Sequence, residues 1–186
     1  MKTTDRFIKG KIVIKVLVFL VYSCFFAGCV AVQVDGGTKH SETEFGGGIT
    51  GLVGKQLSNE VTSIYGLAGY HYYSFDNGHD NYYQLGLQAR QTLGDKGLFW
   101  AGGEAGWARD KSVYKDADWS NPTSNGFFAG ALAGYKLPVS ALDMSVFTGL
   151  SYIRFGDFKA DDFVVEEGHN SVQFKLGVNI ALPFSE

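Results

Sequence analysis

From residue 30 onward the chain is written in twos. Val172, Phe174, Leu176, Val178, Ile180, Leu182 and Phe184 fall on alternate positions, with Ser171, Gln173, Lys175, Gly177 and Asn179 between them. Successive side chains of a strand point to opposite faces, so this period predicts a strand with one apolar and one polar side. Residues 82–93 repeat it: Tyr83, Leu85, Leu87, Ala89 and Leu93 oppose Gln84, Gly86, Gln88, Arg90 and Thr92. No window carries sustained helical periodicity, and turn residues divide the chain into eight predicted strands. They are Val30 to Gly37, Thr43 to Leu57, Val61 to Phe75, Tyr82 to Leu93, Leu98 to Val113, Gly126 to Pro138, Met144 to Phe158, and Ser171 to Phe184. At about a dozen residues each they match a tilted bilayer crossing, whereas strands of soluble sheets average about five or six.

The connections alternate in length, as those of an up-and-down membrane barrel must. Residues 58–60, 94–97 and 139–143 are short, while 38–42, 76–81, 114–125 and 159–170 read as the more polar exterior loops. An even strand count then puts both termini on the periplasmic side. In this register Gln33, Thr50, Gln84, Gln88, Arg90, Glu104 and Lys175 face inward, with Gly46, Gly48, Gly86, Gly102 and Gly106. An eight-stranded barrel is only wide enough for its own side chains to fill it. Glu104 is therefore expected to pair with Arg90 or Lys175, because an unpaired buried charge is costly, and no wide diffusion pore is expected. Residues 64–74 and 145–157 have apolar side chains on both faces, which leaves their register open. Of Tyr65, Tyr72, Tyr73, Tyr82, Tyr83, Trp100, Trp107 and Tyr152, some are expected in the aromatic girdles of a membrane wall and the others as plain sheet residues.

Residues 1–28 follow a different pattern. Met1 to Lys11 is basic, and Ile12 to Gly28 is an apolar run broken only by Lys15 and Ser23, the layout of a secretory signal peptide. The run ends in Phe26-Ala27-Gly28-Cys29, which resembles the lipobox of bacterial lipoproteins, although Phe26 stands where Leu is usual. That resemblance implies cleavage before Cys29 and acylation of its thiol. Ordinary signal-peptidase cleavage at Cys29-Val30-Ala31 is a second reading. An uncleaved helix over the 19 residues from Val16 to Val34 is a third. Cys24 would leave with the signal, so Cys29 is the only thiol of residues 29–186 and no internal disulfide is expected.

Composition sharpens this picture. Aromatic residues make up 15% of the chain beside 25 glycines, which favours sheet over helix. The mean hydropathy of −0.03 suits a barrel that shows alternate residues to lipid. Removing residues 1–28, with five cations and one anion, takes the formal charge from −3 to −7. The remaining cations are scattered singly, which excludes a nucleic-acid partner.

Taken together, residues 30–186 resemble the small OmpA/OmpX-type outer-membrane barrels. The resemblance rests on pattern and implies an all-β, eight-stranded antiparallel transmembrane barrel after an N-terminal signal helix. Phe184 echoes the terminal aromatic residue common in such barrels, but Ser185 and Glu186 follow it.

Candidate chemistry is sparse. His169-Asn170-Ser171 resembles the His-x-Ser pair of the lipid A deacylases, which implies His169 as base and Ser171 as nucleophile. The orienting carboxylate that those enzymes carry further along is missing, since Pro183 and Phe184 stand there, and the predicted register turns Ser171 into the lumen. His40, His71 and His79 are isolated, so no metal site is expected, and no cofactor. Gly46-Gly47-Gly48 lacks the Lys-Ser/Thr and the following helix of a phosphate loop. The acidic stretch Asp157 to Glu167 reads as a solvated loop that could bridge to lipopolysaccharide through divalent cations. The expectation is a non-enzymatic outer-membrane (lipo)protein whose exterior loops meet lipopolysaccharide or an envelope or surface protein. The alternatives are a lipid A acyl hydrolase and a lipid-tethered soluble β-domain.

Overall fold

Sixteen-residue strands are long enough to cross a bilayer at a tilt and still extend beyond it, and two of the strands here have that length. The computed structural model describes residues 29–39, 44–57, 61–115, 121–138, 143–161 and 163–183. The expected signal segment, residues 1–28, and Phe184 lie outside them. The strands are β1 (Cys29–Lys39), β2 (Glu44–Gln56), β3 (Thr62–Phe75), β4 (Gly78–Leu93), β5 (Phe99–Tyr114), β6 (Thr123–Lys136), β7 (Asp143–Phe155), β8 (Phe158–Ala160), β9 (Phe163–Glu166) and β10 (Asn170–Pro183). Each long strand pairs antiparallel with its neighbours in the order β1 to β7 and then β10, and β10 pairs back onto β1 from Cys29↔Pro183 to Lys39↔Gln173. Eight long strands thus close an up-and-down barrel. β8 and β9 form a small hairpin that joins the wall through Thr123↔Lys159.

Two stretches expected to be loops are strands. Residues 76–81 contribute only a two-residue turn, because β4 begins at Gly78 and pairs Asp80 with Tyr73 and Asn81 with Tyr72. Asp80 is polar because it turns into the lumen, where it meets Lys39. Gly78 suits the close hairpin, since a Cβ there would strike the Val113 carbonyl oxygen. The second case is the stretch 159–170, which holds most of the β8–β9 hairpin, and the segment expected to run from Met144 to Phe158 breaks at residues 156–157.

The wall is apolar outside and mostly polar inside. In β7 the alternation is strict: Phe147, Ser151, Ile153 and Phe155 are buried, while Val146, Leu150 and Tyr152 face out. β3 buries Tyr65, Leu67, His71 and Tyr73 and exposes Ile64, Tyr70 and Tyr72. Period two also sorts the aromatic set, with Tyr65, Tyr73, Tyr82 and Trp100 inside and Tyr72, Tyr83, Trp107 and Tyr152 outside. Outward Phe127 is 74% exposed and Leu85 and Leu87 exceed 60%. Inward glycines make room for bulk: a Cβ on Gly134 would occupy the Trp100 ring, and one on Gly48 the His71 ring.

Candidate functional site: the filled lumen and its mouth

Polar side chains inside an eight-stranded wall have no bulk water to satisfy them, so they must satisfy one another. Three layers do so. The turn end is the end that holds Cys29, Pro183, Leu57, Val61 and residues 94–98 and 137–138; there Arg90 lies between two rings, 4.4 Å from the Trp100 centroid and 4.9 Å from that of Tyr65. Its Nε donates to Gln88 Oε1 at 2.7 Å and its Nη2 to Asn179 Oδ1 at 3.0 Å.

Glu104 sits at mid-lumen. Lys175 Nζ donates to its Oε1 at 2.6 Å, Ser151 Oγ to the same oxygen at 2.8 Å, and Gln88 Nε2 to Oε2 at 3.2 Å. Of the two cations weighed for Glu104, Lys175 is the one in contact, and Arg90 is held by its neighbours one layer lower. Gln84 links upward: its Oε1 lies 3.1 Å from His71 Nε2 and its Nε2 donates to Tyr82 Oη at 3.0 Å. Gln173 Nε2 donates to Tyr73 Oη, and His71 Nδ1 lies 3.2 Å from the Asp35 carboxylate.

At the opposite, hairpin end, Lys39 closes the lumen. Its ammonium donates to Asp80 Oδ2 at 2.7 Å and to Asp110 Oδ2, and it lies 5.5 to 5.7 Å from the ring centroids of Phe155, Tyr82 and Tyr73. Above this cluster opens a cavity of about 390 Å³, with Glu44, Asp76, Glu166 and His169 in its wall. Sequence reasoning missed Lys39, Asp80 and Asp110. Lys39 and Asp80 stand in residues read as loop, although both continue the inward period of Gln33 and Gln84.

The remaining candidates are placed as follows. Cys29 is the first residue of β1, paired with Pro183 and Gly54 at the barrel rim. Ser171 is buried inside, and its hydroxyl has no hydrogen-bond partner among the described residues. His169 lies with its Nδ1 3.1 Å from Glu166 Oε1 and its ring stacked on Phe158 at 5.2 Å. His71 and His79 are on opposite faces of the wall, and His40 lies outside the described residues. Asp157 accepts from the Gly168 amide at 3.1 Å, which ties together the base of the β8–β9 hairpin.

No protein-family model matches the chain, and no curated protein sequence does. Solved structures do resemble it. Neisserial surface protein A aligns over 84% of this chain and 96% of its own, with a TM-score of 0.58 at 14% identity. The N-terminal β-barrel domain of Pseudomonas aeruginosa OprF aligns over 84% and 98%, with a TM-score of 0.53 at 16% identity. At such identities the likeness is one of fold, and the fold is that of the small, closed, eight-stranded outer-membrane barrels.

Proposed function

We propose that the chain is a non-enzymatic outer-membrane barrel, its hairpin end turned outward and its turn end on the periplasmic side. One observation carries this reading: the wall is apolar outside while the interior is filled by a hydrogen-bonded polar network. Burying a large apolar side chain is worth about 1.5–3 kcal/mol. A wall carrying Ile49, Leu85, Leu87, Phe127, Leu150 and Leu176 outward therefore needs a non-aqueous neighbour. That requirement favours a membrane-embedded barrel over a tethered soluble domain. The acyl-hydrolase alternative needs a nucleophile at the lipid face, and Ser171 is inside.

Cys29 opens β1 directly, so an acyl chain on its thiol would start at the rim with no linker. With the turn end periplasmic, that chain enters the inner leaflet. The outward hairpins then meet lipopolysaccharide or a surface partner.

The test is gel mobility of the membrane fraction, boiled against unboiled, after cells are fed a clickable fatty acid. A folded barrel migrates differently from its boiled form, and label on that band that is lost in Cys29→Ser places an acyl chain on Cys29. Label without a mobility shift would replace the barrel with a tethered soluble domain. A shift without label would keep the barrel and remove the anchor.

A further inference from the structure

Period two sorts charge as well as apolarity. Of the carboxylates on the eight long strands, Asp35, Asp80, Glu104 and Asp110 are buried inside, Glu44 lines the lumen mouth and Asp143 stands at the turn-end rim. Among the described residues of those strands, none lies on the outward wall. Arg109, Lys111 and Arg154 do, and all three are exposed. Asp110, between Arg109 and Lys111, points the opposite way. The height of these cations follows from the register. The row of paired residues that leaves β1 at Cys29 passes Tyr65, Glu104 and Ser151 and meets β1 again at Lys39. A circuit of the wall therefore climbs ten residues of β1, from Cys29 to Lys39, towards the hairpin end. Two strands climb about a quarter of that. Arg154 lies in the row of Trp107, two strands on through Phe127, so it stands nearly level with Arg109, two residues above Trp107 on β5. By the same count Tyr83, Trp107, Phe127 and Tyr152, all outward, form one aromatic belt immediately beneath the two guanidinium groups.

Phe99, the outward ring at the other end of β5, is ten residues from Arg109, which is about 33 Å along the strand and about 25 Å along the barrel axis at a tilt of about 40°. The apolar band of an outer-membrane barrel is about 25 Å tall. Arg109 and Arg154 therefore mark the plane where lipid headgroups begin. A groove of about 1100 Å³ opens there beneath the β8–β9 hairpin, with Trp107, Asn125, Phe127, Tyr152, Arg154 and Val164 in its lining. A guanidinium takes phosphoryl oxygens in bidentate pairs, and aromatic rings at headgroup level pack against acyl chains. Asn125, directly opposite Arg109 on β6, adds an amide donor between the two arginines. We infer that this patch of wall is a seat for an anionic phosphorylated lipid of the lipopolysaccharide class. Arg109 and Arg154 hold its phosphoryl oxygens, and Trp107, Phe127 and Tyr152 carry its acyl chains. Two cations in the headgroup plane call for a net negative headgroup, which a zwitterionic phospholipid lacks. The seat rests on the outer-membrane reading above and moves the lipid contact from the hairpins to named residues of the wall.

The test is native mass spectrometry of the full chain folded in detergent, its folding checked by heat-modifiable mobility, titrated with diphosphoryl lipid A. Dephosphorylated lipid A and phosphatidylethanolamine are the controls. Folded wild type should bind diphosphoryl lipid A saturably and neither control. Inorganic phosphate in large excess should not displace it, because the rings also hold its acyl chains. Arg109→Gln and Arg154→Gln should each weaken binding about fivefold, the scale of one cation at a membrane surface. Lys55→Gln, an outward change near the turn end, should leave it intact. Glu167 also lines the groove, so Glu167→Gln should leave binding the same or tighter, whereas a contact bridged by a divalent cation through that carboxylate would weaken. A wild type without heat-modifiable mobility would overturn the barrel reading and the seat with it. With folded wild type, absence of saturable binding, equal binding of either control, displacement by inorganic phosphate, loss in Glu167→Gln, or full binding by the folded Arg109→Gln/Arg154→Gln double variant would each overturn the seat alone.

Discussion

At the scale of single residues, the lumen depends on charges that have no alternative to one another. Glu104 and Lys175 are both buried, so removing one leaves the other without its countercharge. Glu104→Leu or Lys175→Met alone should lower stability by about 3–5 kcal/mol, while the double variant should regain much of that loss. Urea titration monitored by the folded band on unboiled gels measures all three. Glycine at 134 makes the space that Trp100 fills. Gly134→Ala should cost about 1–3 kcal/mol by overpacking, and Trp100→Leu in the same background should relieve part of it; the same titration reads this pair.

At the scale of elements, alternation was legible wherever the two faces differ in polarity. β4 and β10 were read in register because Gln84, Gln88, Gln173 and Lys175 interrupt apolar neighbours. β3 and β7 were not, because their inward faces are built from Tyr65, Leu67, Tyr73, Phe147, Ile153 and Phe155, as apolar as their outward faces. Polarity cannot tell a lipid-facing ring from one packed inside a lumen. It also misled at residues 76–81, where charged and amide side chains are strand. The lumen-mouth site was illegible for a different reason. Lys39 meets Asp80 and Asp110 across 41 and 71 residues, and no local pattern encodes which rungs of a closed barrel face one another. The β8–β9 hairpin is joined to the wall through Thr123↔Lys159, with Phe158 packed on Phe155 and His169. Replacing residues 157–168 by a short turn should therefore preserve heat-modifiable mobility but lower stability by about 3–5 kcal/mol in the urea titration, chiefly through loss of the buried Phe158 ring.

At the scale of the whole molecule, the filled interior sets what the barrel transmits. Arg90, Gln88, Glu104, Lys175, Gln84 and Gln173 join in hydrogen bonds along the lumen, and Lys39 caps them at the hairpin end. Liposomes carrying the folded chain should show no swelling in iso-osmotic sugar beyond that of protein-free vesicles. Swelling that scales with protein content would mean that the layers part.

The pairing of β10 with β1 also governs how the molecule comes into being. β1 and β10 are neighbours in the wall although about 130 residues separate them, so β1 waits for β10 before one of its ladders is formed. Until then the curved sheet has two open margins, each able to capture another chain. Contacts of such long sequence separation form slowly, which lengthens that exposure. Assembly of this protein is therefore a race between closure of one seam and pairing with a stranger, and residues 29–39 and 170–183 decide its outcome.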